Sequence, residues 1–90
     1  MSDVIYRNRE FMIIKKYTGY IVINTKKDFK KGHTHIKNYN MAKTLINLAK
    51  NNKIPKSNNK YILDSLIRIS NDKKYINKLE DLKNGKDLCS

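Results

Sequence analysis

The sequence contains few cysteines, prolines and glycines and no long apolar run, and the shortages of cysteine and of long apolar runs each exclude a class of protein. It has one cysteine, one proline, three glycines and no tryptophan among 90 residues. The lone Cys89 cannot form an internal disulfide, so the sequence predicts a reducing, cytoplasmic setting and excludes a disulfide scaffold. The longest apolar runs are four residues, too short for a membrane span. The N-terminus lacks the basic and apolar regions of a signal peptide.

Acidic side chains are also scarce, and their shortage leaves the chain strongly positive. Eight Asp and Glu face 20 Lys and Arg, which gives a formal charge of +12, divided equally between residues 1–40 and 41–90. A small folded protein with that field attracts polyanions before specific contacts form. Only three of the basic residues are Arg, whose planar guanidinium group is the best suited to recognise guanine through two hydrogen bonds. The composition therefore favours phosphate contact over base-specific recognition.

The composition leaves a second origin for this charge open. Seventeen of the basic residues are Lys, and the chain also contains twelve Asn and twelve Ile. AT-rich coding favours these three residue types, so part of the lysine excess has a genomic explanation. Coding bias does not explain why Glu occurs only twice. We therefore expect a polyanionic partner, while the sequence does not say how much of the charge was selected for binding.

The patterning predicts an α+β fold, in which an N-terminal antiparallel β-meander of two or three strands is packed by two or three C-terminal α-helices. Residues 4–7, 11–14 and 20–23 are rich in β-branched and aromatic side chains, which is typical of strands. Gly19 can supply the positive φ that a tight hairpin needs. Since a bare hairpin is marginal in water, the apolar face of this meander requires helices to cover it.

From Tyr39 onward the apolar spacing becomes helical, and it is interrupted twice. The first break contains Pro55 and the second is the polar segment 70–72, so three helices are expected. Residues 1–85 are predicted to form a single domain, followed by a disordered tail at 86–90. The predicted N-caps are Asn38 or Asn40, Ser57 or Asn58, and Asp72, with Gly85 just after the last helix.

The candidate binding site is a basic loop together with the hairpin turn. Residues 24–38 have no sustained period, so they predict a loop, pivoting at Gly32, that is long enough to be functional. Tyr17 lies beside lysines in the hairpin turn and is a candidate platform for unpaired bases. We expect these segments to contact a nucleic-acid backbone or the acidic surface of a nucleoprotein. The candidate residues are Lys15, Lys16, Tyr17, Lys26, Lys27, Lys30, Lys31 and Lys37.

Two histidines are the candidate metal ligands of the chain. On a strand, His33 and His35 point to the same face and could reach one ion. Zinc needs three or four protein ligands, and only Cys89 remains as a soft ligand, so histidines that are satisfied locally or face solvent are favoured. The sequence contains no nucleophile elbow and no glycine-rich phosphate loop. We therefore predict no catalytic residue, no cofactor and a binding protein in place of an enzyme.

Two other functions remain open from the sequence. A protein–protein inhibitor without nucleic-acid contact would use an uncovered sheet face or an edge strand; its candidate anchors are Tyr6, Phe11 and Tyr20. A DNA-binding regulator would use residues 39–70 as a helix-turn-helix. Its connection is longer than usual, and its second helix offers only Lys60 and Arg68 as basic groups.

For Tyr20 and Tyr39 the pattern favours positions where the sheet meets the helices. The oligomeric state is left open.

Four segments carry a resemblance to known proteins: Gly32–Ile36, Ala42–Ile46, Ile54-Pro55 and Ser65–Ile76. Through these segments the chain resembles small phage and prophage proteins of low-GC Firmicutes, over roughly residues 11–80. Anti-CRISPR and other anti-defence proteins are similar in size and in having no cofactor. The resemblance implies stoichiometric inhibition of a host complex that handles nucleic acid, in the host cytosol and away from membranes.

Overall fold

The fold is a four-stranded antiparallel sheet followed by three helices, in a computed structural model that describes residues 3–56 and 59–85. The elements are β1 (Asp3–Asn8), β2 (Phe11–Lys16), β3 (Gly19–Asn24), β4 (His33–Ile36), α1 (Tyr39–Lys50), α2 (Lys60–Ile69) and α3 (Lys73–Lys83). The strands lie in the order β1-β2-β3-β4, and each pairs antiparallel with the next. The predicted class, an N-terminal β-meander packed by C-terminal helices, is confirmed.

The sheet has one strand more than the two or three expected. β4 lies inside residues 24–38, which the sequence pattern predicted to be a loop throughout. Thr34 and Ile36 are buried on one side of this strand, while His33 and His35 lie on the other. Four residues are too few to reveal a period in a polar segment. These residues form a strand because they are hydrogen-bonded to β3, and this pairing exists only in the folded chain.

The helices cover one face of the sheet and form the principal core with it. Ile13 and Val22 from the central strands are fully buried against Leu45 of α1 and Leu66 of α2. Burial of a side chain of this size contributes roughly 1.5–3 kcal/mol each. Because α3 packs mainly on α2, Leu79 extends this core away from the sheet.

The helix ends follow the predicted caps at two of three N-termini. Asn38 accepts a hydrogen bond from the backbone N–H of Met41, and Asp72 caps α3 in the same way. The prediction of Ser57 or Asn58 for α2 was wrong, because the N-cap is Asn59. Several adjacent polar residues can each serve as a cap, and the path of the linker selects among them. The predicted tail at 86–90, with Cys89, lies outside the described residues.

Tyr75 joins α3 to the segment that links α1 and α2. Its buried hydroxyl donates a hydrogen bond of 2.6 Å to the carbonyl of Lys53. Burial raises the pKa of Tyr75 from 10.0 to about 12, because the charged phenolate is poorly solvated there. The folded state therefore holds this proton more tightly than the unfolded state does. The resulting stabilisation is complete below pH 10 and is lost as the pH rises toward 12.

We expect Tyr75→Phe to lower the free energy of unfolding by about 1 kcal/mol at neutral pH, since one buried hydrogen bond is lost. Above the normal pKa of tyrosine, the stability of the variant should fall less steeply with pH than that of the parent. Urea unfolding at neutral and alkaline pH measures both effects. Tyr17→Phe is the matched control, because Tyr17 is fully exposed. An alkaline decline as steep in Tyr75→Phe as in the parent would contradict this account.

Candidate nucleic-acid interface

The candidate lysines lie at opposite ends of the sheet. Lys15, Lys16 and Tyr17 are at the β2–β3 turn, whereas the loop of residues 25–32 follows the far end of β3. A strand of six residues is about 20 Å long, and this separates the two ends. Lys37 follows β4 and lines the same depression as the turn residues. The structure thus divides the predicted site into a turn cluster (Lys15, Lys16, Tyr17, Lys37) and a loop cluster (Lys26, Lys30, Lys31).

Lys27 belongs to neither cluster, because its ammonium group is held by α2. Nζ donates hydrogen bonds to the carbonyl of Arg68 at 2.9 Å and to that of Ser70 at 3.0 Å. These carbonyls lie at the C-terminus of α2, where a cation satisfies free acceptors and the helix dipole. Burial, and secondarily the charge of Lys31, lower the pKa of Lys27. The contacts therefore give Lys27 a structural role in place of the predicted ligand contact.

The loop itself is anchored by buried hydrogen bonds. The Asn24 side chain, fully buried, donates from Nδ2 to the carbonyl of Ile69 at 2.8 Å. Its Oδ1 accepts the backbone N–H of Lys26 at 2.9 Å. At Gly32 an added Cβ would lie 2.6 Å from the Cβ of Lys27, so only glycine fits there. Gly32, which the sequence predicted to be a pivot, is therefore closely packed. This packing and the hydrogen bonds of Asn24 give the loop a defined conformation.

The lysines of both clusters are available to a ligand. Lys16, Lys37 and the three lysines of the loop cluster are exposed, and so is Lys15, whose Nζ lies 5.8 Å from the centre of the Tyr20 ring. None of them forms an ion pair with a carboxylate in the described part of the chain. The ion pair found there joins Lys83 of α3 to Asp64 of α2 at 2.6 Å. The lysines of the clusters are therefore not held in ion pairs within the described residues, although Asp28 lies in the same loop as Lys26, Lys30 and Lys31.

Between the two clusters lies the face of the sheet that the helices do not cover, here called the open face. Side chains paired across neighbouring strands point to the same side. The pairing therefore puts Val4, Arg7, Met12, Ile14, Lys16, Ile21, Ile23, His33 and His35 on this face. Ile14, Ile21 and Ile23 form a small apolar cluster of their own. Asp3, the acidic residue of the described strands, is opposite Lys15 and thus on the helix side.

Three aromatic rings, here called the ring group, lie at the loop end of the open face. The ring of Phe29 stacks on His33 with centroids 4.3 Å apart and an interplanar angle of 3°, and His35 meets His33 edge-on at 5.1 Å. His33 donates from Nδ1 to the backbone carbonyl of Phe29, which fixes the loop to β4. Phe29 nevertheless remains 54% exposed.

The two histidines share a face, as the strand spacing predicted. In the described residues no group of three or more potential ligands is placed to hold a metal ion. The ring of His33 contacts both Phe29 and His35. Sequence reasoning missed Phe29, because a single aromatic residue in a loop without a period gives no pattern. Its position between Lys27 and Lys30 was the available signal.

Four other aromatic residues, Tyr6, Phe11, Tyr20 and Tyr39, lie on the helix side of the sheet. Tyr20 and Tyr39 meet where the sheet joins α1, with ring centroids 5.6 Å apart. This is the position between sheet and helices that the sequence pattern favoured for both residues. Phe11 is buried in the core and Tyr6 packs against it. The predicted anchors of a protein interface are therefore used by the fold and do not lie on the open face.

A groove between α1 and the start of α2 forms a second surface. It encloses about 540 Å³ beside Met41 and Ile62, and it continues past Leu48 and Ile54. The charged residues that line it are all lysines: Lys37, Lys53 and Lys56. The groove is thus apolar inside and positive at its rim.

Comparison with known proteins adds no family to this geometry. A scan against protein-family models matches none, and searches of curated proteins and of solved structures return no match. The resemblance to phage proteins therefore stays a prediction. Within residues 3–56 and 59–85, no helix has both the length and the apolar content that a bilayer crossing requires.

Proposed function

We propose that the protein binds nucleic acid, free or within a nucleoprotein, stoichiometrically and without turnover. One observation carries this proposal: at both ends of the open face lie exposed lysines that form no ion pair within the described part of the chain, and the four strands point no acidic side chain toward that face. In line with the phage resemblance, the cellular role would be inhibition of a host complex that handles nucleic acid, such as a CRISPR effector, in the host cytoplasm.

The separation of the two clusters suits a backbone that crosses the open face. Phosphates would meet the loop cluster at one end and the turn cluster about 20 Å away, the length of a six-residue strand. The apolar and aromatic side chains between them offer contact to the less polar parts of the ligand. Such binding is dominated by phosphate neutralisation and by the release of counterions from the ligand.

Salt titration tests this proposal directly. Lys15 lies on the helix side of the sheet beside Tyr20, so the clusters offer five lysines to a ligand on the open face: Lys16, Lys26, Lys30, Lys31 and Lys37. If all five contact phosphates, the logarithm of the binding constant should fall with the logarithm of salt concentration with a slope of about −3.5 to −4.5. Fluorescence anisotropy with labelled single- and double-stranded oligonucleotides measures this slope. Binding that is absent, or that does not change with salt, would overturn the proposal.

A protein partner is the second candidate, and the groove between α1 and α2 favours it. Because the charged residues that line this apolar groove are lysines throughout residues 3–56 and 59–85, the matching partner is an amphipathic segment with acidic residues. Pulldown from a host lysate, with and without nuclease, separates the two candidates. Partners that disappear after nuclease support nucleic acid, whereas a protein band that persists, with shallow salt dependence, supports the groove.

A further inference from the structure

The ring group has the position and exposure of a ligand contact. Phe29 would be expected inside the core if its role were only to fill space, yet more than half of it is exposed. Its ring lies against His33 on the open face of the sheet, opposite the helices. One face of its ring is occupied by His33, and its exposure leaves ring surface available to a further planar group.

The ring group is also preorganised. The hydrogen bond from His33 to the Phe29 carbonyl ties the loop to β4. At the other side of the loop, the N–H of Gly32 donates to the carbonyl of Asp28 at 2.7 Å, and Asn24 fixes the start of the loop from within. A ring held in place loses little conformational entropy on binding, so its contacts contribute more fully to affinity.

Two lysines and one carboxylate flank Phe29 in the chain, so the local charge around the ring group is positive on balance, with the exposed Asp28 directly before Phe29. Lys30 and Lys31 follow Phe29 directly in the chain, and both are exposed. Aromatic rings beside basic groups form the usual arrangement for single-stranded nucleic acids, because bases stack on the rings while phosphates contact the cations. In a duplex the bases stack on each other, and their faces cannot reach a ring on a sheet surface.

We infer that the ring group Phe29–His33–His35 stacks on unpaired bases, and hence that the ligand of the open face is single-stranded nucleic acid. This inference rests on the proposed function, and it assigns the base contact to the loop end of the sheet. The ring at the turn, Tyr17, is the alternative platform. Its side chain is fully exposed and shows no ring contact in the described structure.

The first test compares Phe29→Ala with Tyr17→Ala on single-stranded and duplex oligonucleotides at one salt concentration. Loss of one stacked base costs about tenfold in affinity. Phe29→Ala should therefore weaken single-strand binding about tenfold, leave duplex binding and the salt slope unchanged, and be rescued by Phe29→Tyr. Thermal unfolding checks that each variant is folded. A tenfold loss in Tyr17→Ala, with none in Phe29→Ala, would overturn the assignment.

The second test reports on the contact itself. Because the chain has no tryptophan, Phe29→Trp introduces a single indole at the proposed platform. Stacking of a base on this indole should quench its fluorescence when a single strand is added, and a duplex should have little effect. Unchanged fluorescence on binding of the single strand, with the steep salt slope intact, would reject the stacking inference and leave the proposed function standing. Absence of binding by the parent protein to either probe would reject the proposed function itself.

Discussion

Reversing the charge of two lysines in the loop cluster, by Lys26→Glu with Lys30→Glu, is expected to weaken nucleic-acid binding by about 100-fold. That loss corresponds to about 2.8 kcal/mol. Each reversal removes one attraction to a phosphate and adds one repulsion in the same place. Both side chains are exposed, and the hydrogen bond of Lys26 to Asn24 uses its backbone N–H, which glutamate retains. Thermal stability should therefore stay nearly unchanged.

The matched control is Lys74→Glu with Lys78→Glu on α3. Both residues are exposed, and α3 packs mainly on α2, away from the open face. Either pair of reversals lowers the formal charge from +12 to +8, so the two variants differ only in where the charge changes. At physiological salt, charges beyond about 8 Å are largely screened, and the control should lose much less affinity. Equal losses in both variants would show that overall charge, not the loop cluster, drives binding.

Replacing the buried amide of the loop anchor, by Asn24→Ala, is expected to lower the free energy of unfolding by roughly 2–4 kcal/mol. The Asn24 side chain is fully buried and makes two hydrogen bonds, one to the carbonyl of Ile69 and one from the N–H of Lys26. Alanine removes the amide, so the carbonyl of Ile69 and the N–H of Lys26 each lose a hydrogen-bond partner. Urea unfolding measures the change.

The control for this substitution is Asn77→Ala, because Asn77 is exposed on α3. Its effect should lie within about 0.5 kcal/mol, as for most surface substitutions. Asn24→Ala should also weaken nucleic-acid binding under conditions where the variant is folded, since the loop loses its internal support. Unfolding of Asn24→Ala at the same urea concentration as the parent would contradict the anchoring role.

The regular elements with strong local patterns were predictable from the sequence. β2 and β3 contain runs of β-branched residues, and the rows of Leu45 and Leu66 repeat at helical spacing. Such patterns report which face of an element is apolar, and burying that face is what stabilises the element. β4 escaped prediction because only two of its four residues are buried and it pairs with β3 across the loop of residues 25–32, not through a tight hairpin turn.

The candidate site was predictable in its chemistry and not in its layout. Exposed lysines follow from composition, because ammonium groups without partners stay in solvent. Composition does not show that Lys27 turns back to the end of α2, since Arg68 is 41 residues away in sequence. Nor does it show that Phe29 and His33 stack, or that β3 separates the loop cluster from the turn cluster.

The fold class, the positive charge and the lack of a recognisable catalytic motif could all be read from the sequence, because they depend on residue types and local spacing. The fourth strand, the structural role of Lys27 and the open face between two separated lysine clusters became apparent only in the folded chain. Each of these depends on contacts between separate elements of the fold, and no local pattern in the sequence records which elements meet.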